Sequence, residues 1–220
     1  MLGRNLPFHE REYEVPPDLV TLSIYFDVST LRNSDGIIWT KVEDVMFLIA
    51  SQYVQGFGAV HRDKSFYGFA FDCNADYAEV FVCANTRDAL KRQAIDYKNR
   101  WPDLYGHLTI QDLEDKLRWA LGDWEFQAFT TEGFSNAWEP IEEFLVDAIP
   151  WDEEDDQRVD DFRNSFMEVA CRCMLRLESE GIFDSLSKTL DFRTFVADHD
   201  ESDEDSWSRY EAIRSRENRA

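Results

Sequence analysis

The stretch FYGFAFDCNADYAEVFVCANTRDAL, residues 66–90, decides the fold. Phe66 to Cys73 and Glu79 to Ala84 are nearly continuous apolar runs, the pattern of strands covered on both faces. Asp72 and Asp76 flank the turn between them and read as turn formers. Asn85 and Thr86 then supply two helix-capping side chains in succession. Leu90, Ala94, Tyr97 and Trp101 mark the apolar stripe of the helix that follows, and Pro102 stops it. The segment commits to strand, turn, strand and helix. It commits to no chemistry.

Upstream, residues 1–18 carry Pro7, Pro16 and Pro17 and read as an irregular arm. Leu19 to Val28 reads as a strand, Asn33 to Gly36 as a turn, and Ile37 to Trp39 as a short returning strand. Val42, Val45, Met46, Ile49 and Tyr53 recur at helical spacing, a pattern ended by Gly56 and Gly58. Downstream, Thr109 caps a short helix closed by Gly122, and the alternation of Trp124 to Thr130 predicts a third sheet strand. Phe134, Trp138, Ile141 and Leu145 share a helical face; Pro140 belongs in a first turn, which puts the helix start near Asn136 or later. Phe162, Phe166, Val169, Ala170, Cys173 and Leu177 give the best amphipathic helix, ending at Gly181. Phe183 to Ala197 reads as a short helix and an edge strand, Phe192 to Val196, and Trp207 to Ala220 as a frayed or peripheral helix. These elements predict one α+β domain over residues 19–200, with a small, mainly antiparallel sheet and a central hairpin, covered by several helices. Residues 201–220 then form an acidic loop and the peripheral helix.

Charge is the unusual quantity. The 220 residues hold 45 acidic and 23 basic side chains, a net of −22. Residues 1–100 carry 14 acidic against 11 basic, leaving 31 against 12 for residues 101–220. Such a field repels phosphate backbones and anionic lipid, so direct nucleic-acid or membrane-surface binding is disfavoured and basic partners are attracted. Acidity that only keeps the protein soluble is the plainer alternative. Four cysteines without a CxxC pair read as reduced, mostly buried thiols of a cytoplasmic protein: Cys171 and Cys173 diverge on a helix, and in the hairpin Cys73 falls near Glu79 and Cys83 near Phe69. The first residues lack an apolar signal segment, and no apolar run approaches the ~20 residues of a membrane span.

Catalytic motifs are scarce. His9, His61, His107 and His199 lie far apart, each in a predicted loop, and none has the spacing of a helical metal pair. Gly56-Phe57-Gly58 lacks the remainder of either nucleotide-binding motif. Asp198, Asp200, Asp203 and Asp205 echo a calcium loop without its glycine and distal glutamate, so a solvated acidic loop is the simpler reading. No cofactor is expected. Asn85-Thr86 ends a buried strand at a helix start, a natural anion or ligand position as well as a cap. Candidate partner-binding residues are Trp151, an aromatic anchor among acids, with Asp152, Glu153, Glu154, Asp155 and Asp156, and the second acidic run at Asp198, Asp200, Glu201 and Asp203.

The runs YGFAFDCN and AEVFVCANTRDALKR, the later WEFQAF, and the tail GIFD followed by FRTFVADHD resemble the bacterial domain-of-unknown-function 4303 family over roughly Val42 to Asp200. The resemblance carries no established activity onto single residues. It implies a small acidic domain similar to the antidotes of polymorphic toxin systems, which bind a toxin and block it. The functional expectation is therefore a non-enzymatic, immunity-like binding protein with a basic protein partner. Mimicry of nucleic acid, with carboxylates imitating phosphates to occupy a nuclease or DNA-binding protein, is the second expectation, and a carboxylate-metal hydrolase the third.

Overall fold

In the computed structural model the described residues are 26–127, 132–149, 156–199 and 201–219. They form a single α+β domain built on the predicted hairpin. Strand β3 (Phe66–Asn74) pairs antiparallel with β4 (Glu79–Thr86) and parallel with β5 (Lys188–Asp198), so the sheet is mixed, with β3 at its centre. A separate two-stranded ribbon, β1 (Arg32–Asn33) and β2 (Gly36–Ile37), precedes it, with Gly36 at φ 119° supplying the left-handed turn.

Helix α1 (Trp39–Val60) and helix α6 (Asp156–Ser179) lie against each other and cover one face of the sheet. Phe69 packs on Phe183 at 5.0 Å between ring centres, and Phe71 on Phe134 at 5.9 Å. On the other face Phe195, paired with Ala70, meets Trp119, Trp124 and Trp207. Both faces are thus buried, which accounts for the nearly continuous apolar runs in β3 and β4. Helix α2 (Arg87–Arg100) leaves β4 directly, capped by Thr86, whose hydroxyl accepts the Ala89 N–H at 3.2 Å. Helices α3 (Pro102–Tyr105), α4 (Ile110–Leu117), α5 (Glu132–Val146) and α7 (Asp203–Glu217) complete the domain. Thr109 and Asp112 form a reciprocal capping box at the start of α4.

Several expectations are corrected. Helix α1 begins at Trp39, within the expected returning strand, and continues through Gly56 and Gly58 to Val60. Gly58 is used for close approach: a Cβ there would sit 2.5 Å from the Ser185 carbonyl oxygen. Among the described residues after Trp124 a single bridge forms, Phe126 to Ala84, with residues 128–130 of the expected strand outside the described ones. The third strand is β5, eleven residues long, parallel to β3 and containing the expected edge strand Phe192 to Val196. Helix α5 starts at Glu132, so Pro140 lies inside it. The hairpin register differs by one: Asn74 pairs with Glu79, placing Cys73 opposite Val80 and Cys83 opposite Ala70. The Asn74 side chain accepts the Asp76 N–H at 3.2 Å and Ala78 takes φ 52°, which tightens the loop to four residues. All four cysteines are buried and none is disulfide-bonded. Of the expected strand at 19–28, Val28 lies in a 3-10 turn (Val28–Leu31) and residues 19–25 lie outside the described ones, as do residues 1–18. The C-terminal helix α7, read as frayed or peripheral from Trp207, starts at Asp203 and rests on β5 and α6 with Tyr210 and Ile213 buried. No helix among the described residues is long and apolar enough to cross a membrane.

Candidate functional site

The acidic runs singled out in the sequence are only partly placed. Trp151, Asp152, Glu153, Glu154, Asp155 and Asp200 lie outside the described residues, and Asp156 is the first residue of α6. The rest of the second run forms the lead into α7. Asp198 ends β5, half-buried, and its N–H donates to Ser206 Oγ at 3.3 Å. Glu201 is held by Arg209. Ser202 caps α7, accepting the Asp205 N–H at 3.2 Å and donating its hydroxyl to the Asp205 carboxylate at 2.7 Å. Asp203, Glu204 and Asp205 fill the first turn, where negative charge is favourable against the helix dipole. Capping and dipole stabilisation account for this run. Among the described residues no group of three His, Cys, Asp or Glu side chains is placed to hold a metal ion.

A second concentration of acid, not singled out from the sequence, stands at the junction of α5 and β4. Phe134, Trp138, Ile141 and Leu145 are buried, and the Trp138 indole N–H donates to the Ala78 carbonyl at 2.9 Å, fixing α5 over the hairpin end. Glu139, Glu142 and Glu143 follow on the same helix, and Glu79 opens β4. The Glu142 carboxyl is pushed up to about 7, first by its own burial and then by Glu79, Glu139 and Glu143. None of these four carboxylates has an ion-pair or hydrogen-bond partner among the described residues. The signal was present in EPIEEF, residues 139–144, but longer acidic runs outweighed it, and the contribution of Glu79 requires the fold.

The other candidates are structural. Asn85 is buried: its amide donates to the Tyr67 hydroxyl at 3.0 Å, and its carbonyl accepts the N–H of Thr86 at 2.9 Å and of Glu125 at 3.3 Å. The Tyr67 hydroxyl donates to the Arg118 carbonyl at 2.7 Å, and burial pushes its pKa up to about 12. Asp76 pairs with Arg163 of α6, whereas Asn74 makes the turn. Asp72 lies 3.8 Å from His199 Nδ1, its carboxyl raised by burial. His61 is packed between Phe57 and Phe126, at 4.5 and 4.7 Å, and burial lowers its pKa. A groove of about 530 Å3 beside β5 has Glu178 in its lining, held by two Arg214 nitrogens at 2.8 and 3.0 Å and by the Tyr210 hydroxyl at 3.2 Å.

Fold and surface together define a small acidic α+β domain with a carboxylate face that is unpaired among the described residues. Residues 49–215 match the sequence profile of the family described as Domain of unknown function (DUF4303), and the chain belongs to that family. No curated protein and no solved structure matches it.

Proposed function

We propose that this protein is a non-enzymatic acidic binding protein, immunity-like, which occludes a basic protein partner such as a toxin in the cytoplasm. The observation that carries this reading is the group Glu79, Glu139, Glu142 and Glu143, four carboxylates gathered without a cation among the described residues, one of them forced up to about pKa 7. Like charges held together by a helix seat are destabilising unless something relieves them. Lysine or arginine side chains of a partner would do so, expelling the Glu142 proton and lowering its carboxyl. Charge complementarity of this kind speeds association and sets specificity more than it sets affinity, and it weakens with salt.

The test is affinity capture from the source cell with the wild-type chain and with a Glu139→Gln/Glu142→Gln/Glu143→Gln variant. The expected result is a basic protein retained by the wild type alone and released in about 1 M salt, where the screening length falls to ~3 Å. Equal capture by both chains, or retention indifferent to salt, contradicts the reading. Capture of a nuclease or DNA-binding protein assigns the mimicry form of it.

A further inference from the structure

Among the described residues ion pairing has a pattern with one local inversion. Arg163, Arg172, Arg176 and Arg214 each face two carboxylates, as an excess of acid requires. At the start of α2 the ratio reverses. Arg87 and Arg118 share the single carboxylate of Asp191, with Arg118 Nη2 at 2.6 Å, and Lys64 and Arg92 share Glu125, each at 3.1 Å. Thr86 joins the two groups, since its hydroxyl donates to Glu125 at 3.2 Å and Arg87 is the next residue. Four cations paired with two anions leave a local positive excess in a chain of net charge −22.

The arginine pair is a prepared surface. Both guanidinium carbons lie over the Tyr67 ring, 5.2 and 5.3 Å from its centre, and Arg118 also lies over Trp119 at 5.1 Å. Stacking of this kind fixes the forks that bind oxyanions bidentately. Arg118 Nε is buried without an acceptor.

Asp191 reaches the pair only through an irregularity. Between the pairs Phe66–Lys188 and Gly68–Arg193 the register advances two residues along β3 and five along β5. The extra residues bulge outward, leaving Leu190 fully exposed. Thr189 Oγ1 steadies the bulge by donating to the Asp191 carboxylate at 2.7 Å. One carboxylate thus supplies a single negative charge to two guanidinium groups.

We propose that Arg87 and Arg118 form a site for a phosphate dianion, free or carried as a phosphomonoester, which Asp191 occupies when the ligand is absent. A phosphate offers charge equal to the pair and three oxygens to the two forks, where Asp191 offers half the charge and has one oxygen engaged by Thr189. The long-range field of the chain opposes anions, so the site selects a small ligand over a polyanion. Because Asp191 competes, affinity is reduced by the fraction of molecules in which it is in place.

The experiment is calorimetric titration of the full chain with inorganic phosphate and with phenyl phosphate, in chloride at constant ionic strength. The wild type should bind one equivalent saturably, Asp191→Asn at least about tenfold more tightly, and Asp191→Asn/Arg118→Gln not at all. Thr189→Val, which loosens Asp191 while leaving both arginines, should tighten binding as well and serves if Asp191→Asn does not fold. Tighter binding of phenyl phosphate assigns the monoester; equal or weaker binding assigns the free anion. Absence of saturable binding by the wild type at millimolar ligand overturns the proposal, as does unchanged affinity in a folded Arg118→Gln variant.

Discussion

Glu142 shows at a single residue what the acidic face costs. Its folded-state value of about 7 lies above the ordinary 4.5, so between those values the folded chain holds a proton that the unfolded chain releases. Stability contributed by this group is therefore present at low pH and falls as pH rises from about 4.5 to about 7. Glu142→Gln removes the charge, and the variant should melt at a higher temperature than wild type at about pH 8. The difference should vanish below 4.5, where Glu142 is protonated in both folded and unfolded chains. A melting series by circular dichroism checks this, and a gain that persisted at low pH would locate the effect in packing. At this scale the sequence was a partial guide. Thr86 was legible as a cap because capping depends on neighbouring backbone, whereas the Glu142 environment depends on Glu79, sixty-three residues away.

Elements were legible where their periodicity was local. The hairpin, α1, α2 and α6 follow from apolar spacing, because their buried faces are written within single segments. The third strand was legible only as a segment: Phe192 to Val196 reads as an edge strand and lies within β5, but its parallel pairing with β3 joins residues more than a hundred positions apart, while Trp124 to Gln127 shows strand-like alternation and makes one bridge. Gly58 illustrates a related limit: glycine lowers helix propensity, yet here it lets α1 approach the 3-10 turn Ile182–Ser185. Gly58→Ala would force the Ser185 backbone away from its 2.5 Å position relative to the new Cβ. The cost should be about 1–3 kcal/mol, read by urea denaturation. An unchanged midpoint would show that the turn yields freely and that the α1 contact does not position it.

For the whole molecule, the distribution of charge carries the functional reading. Composition announced an acidic protein, but only the fold separates carboxylates that already serve it from those that do not. Asp203, Glu204 and Asp205 fill the first turn of α7 behind the Ser202 cap, while Glu139, Glu142 and Glu143 stand together without a cation among the described residues. The two triplets are equal in formal charge, which makes them a matched pair. The most direct measurement is therefore the affinity of a ten-lysine peptide for the wild type, for Glu139→Gln/Glu142→Gln/Glu143→Gln, and for Asp203→Asn/Glu204→Gln/Asp205→Asn, at low salt. Measured at about pH 8, where Glu142 is largely ionised, both variants lose close to three charges, so a bulk field would weaken both nearly equally. The expected loss is about tenfold, or ~1.4 kcal/mol, confined to the α5 variant, with the α7 variant close to wild type. Equal losses in the two variants would contradict it.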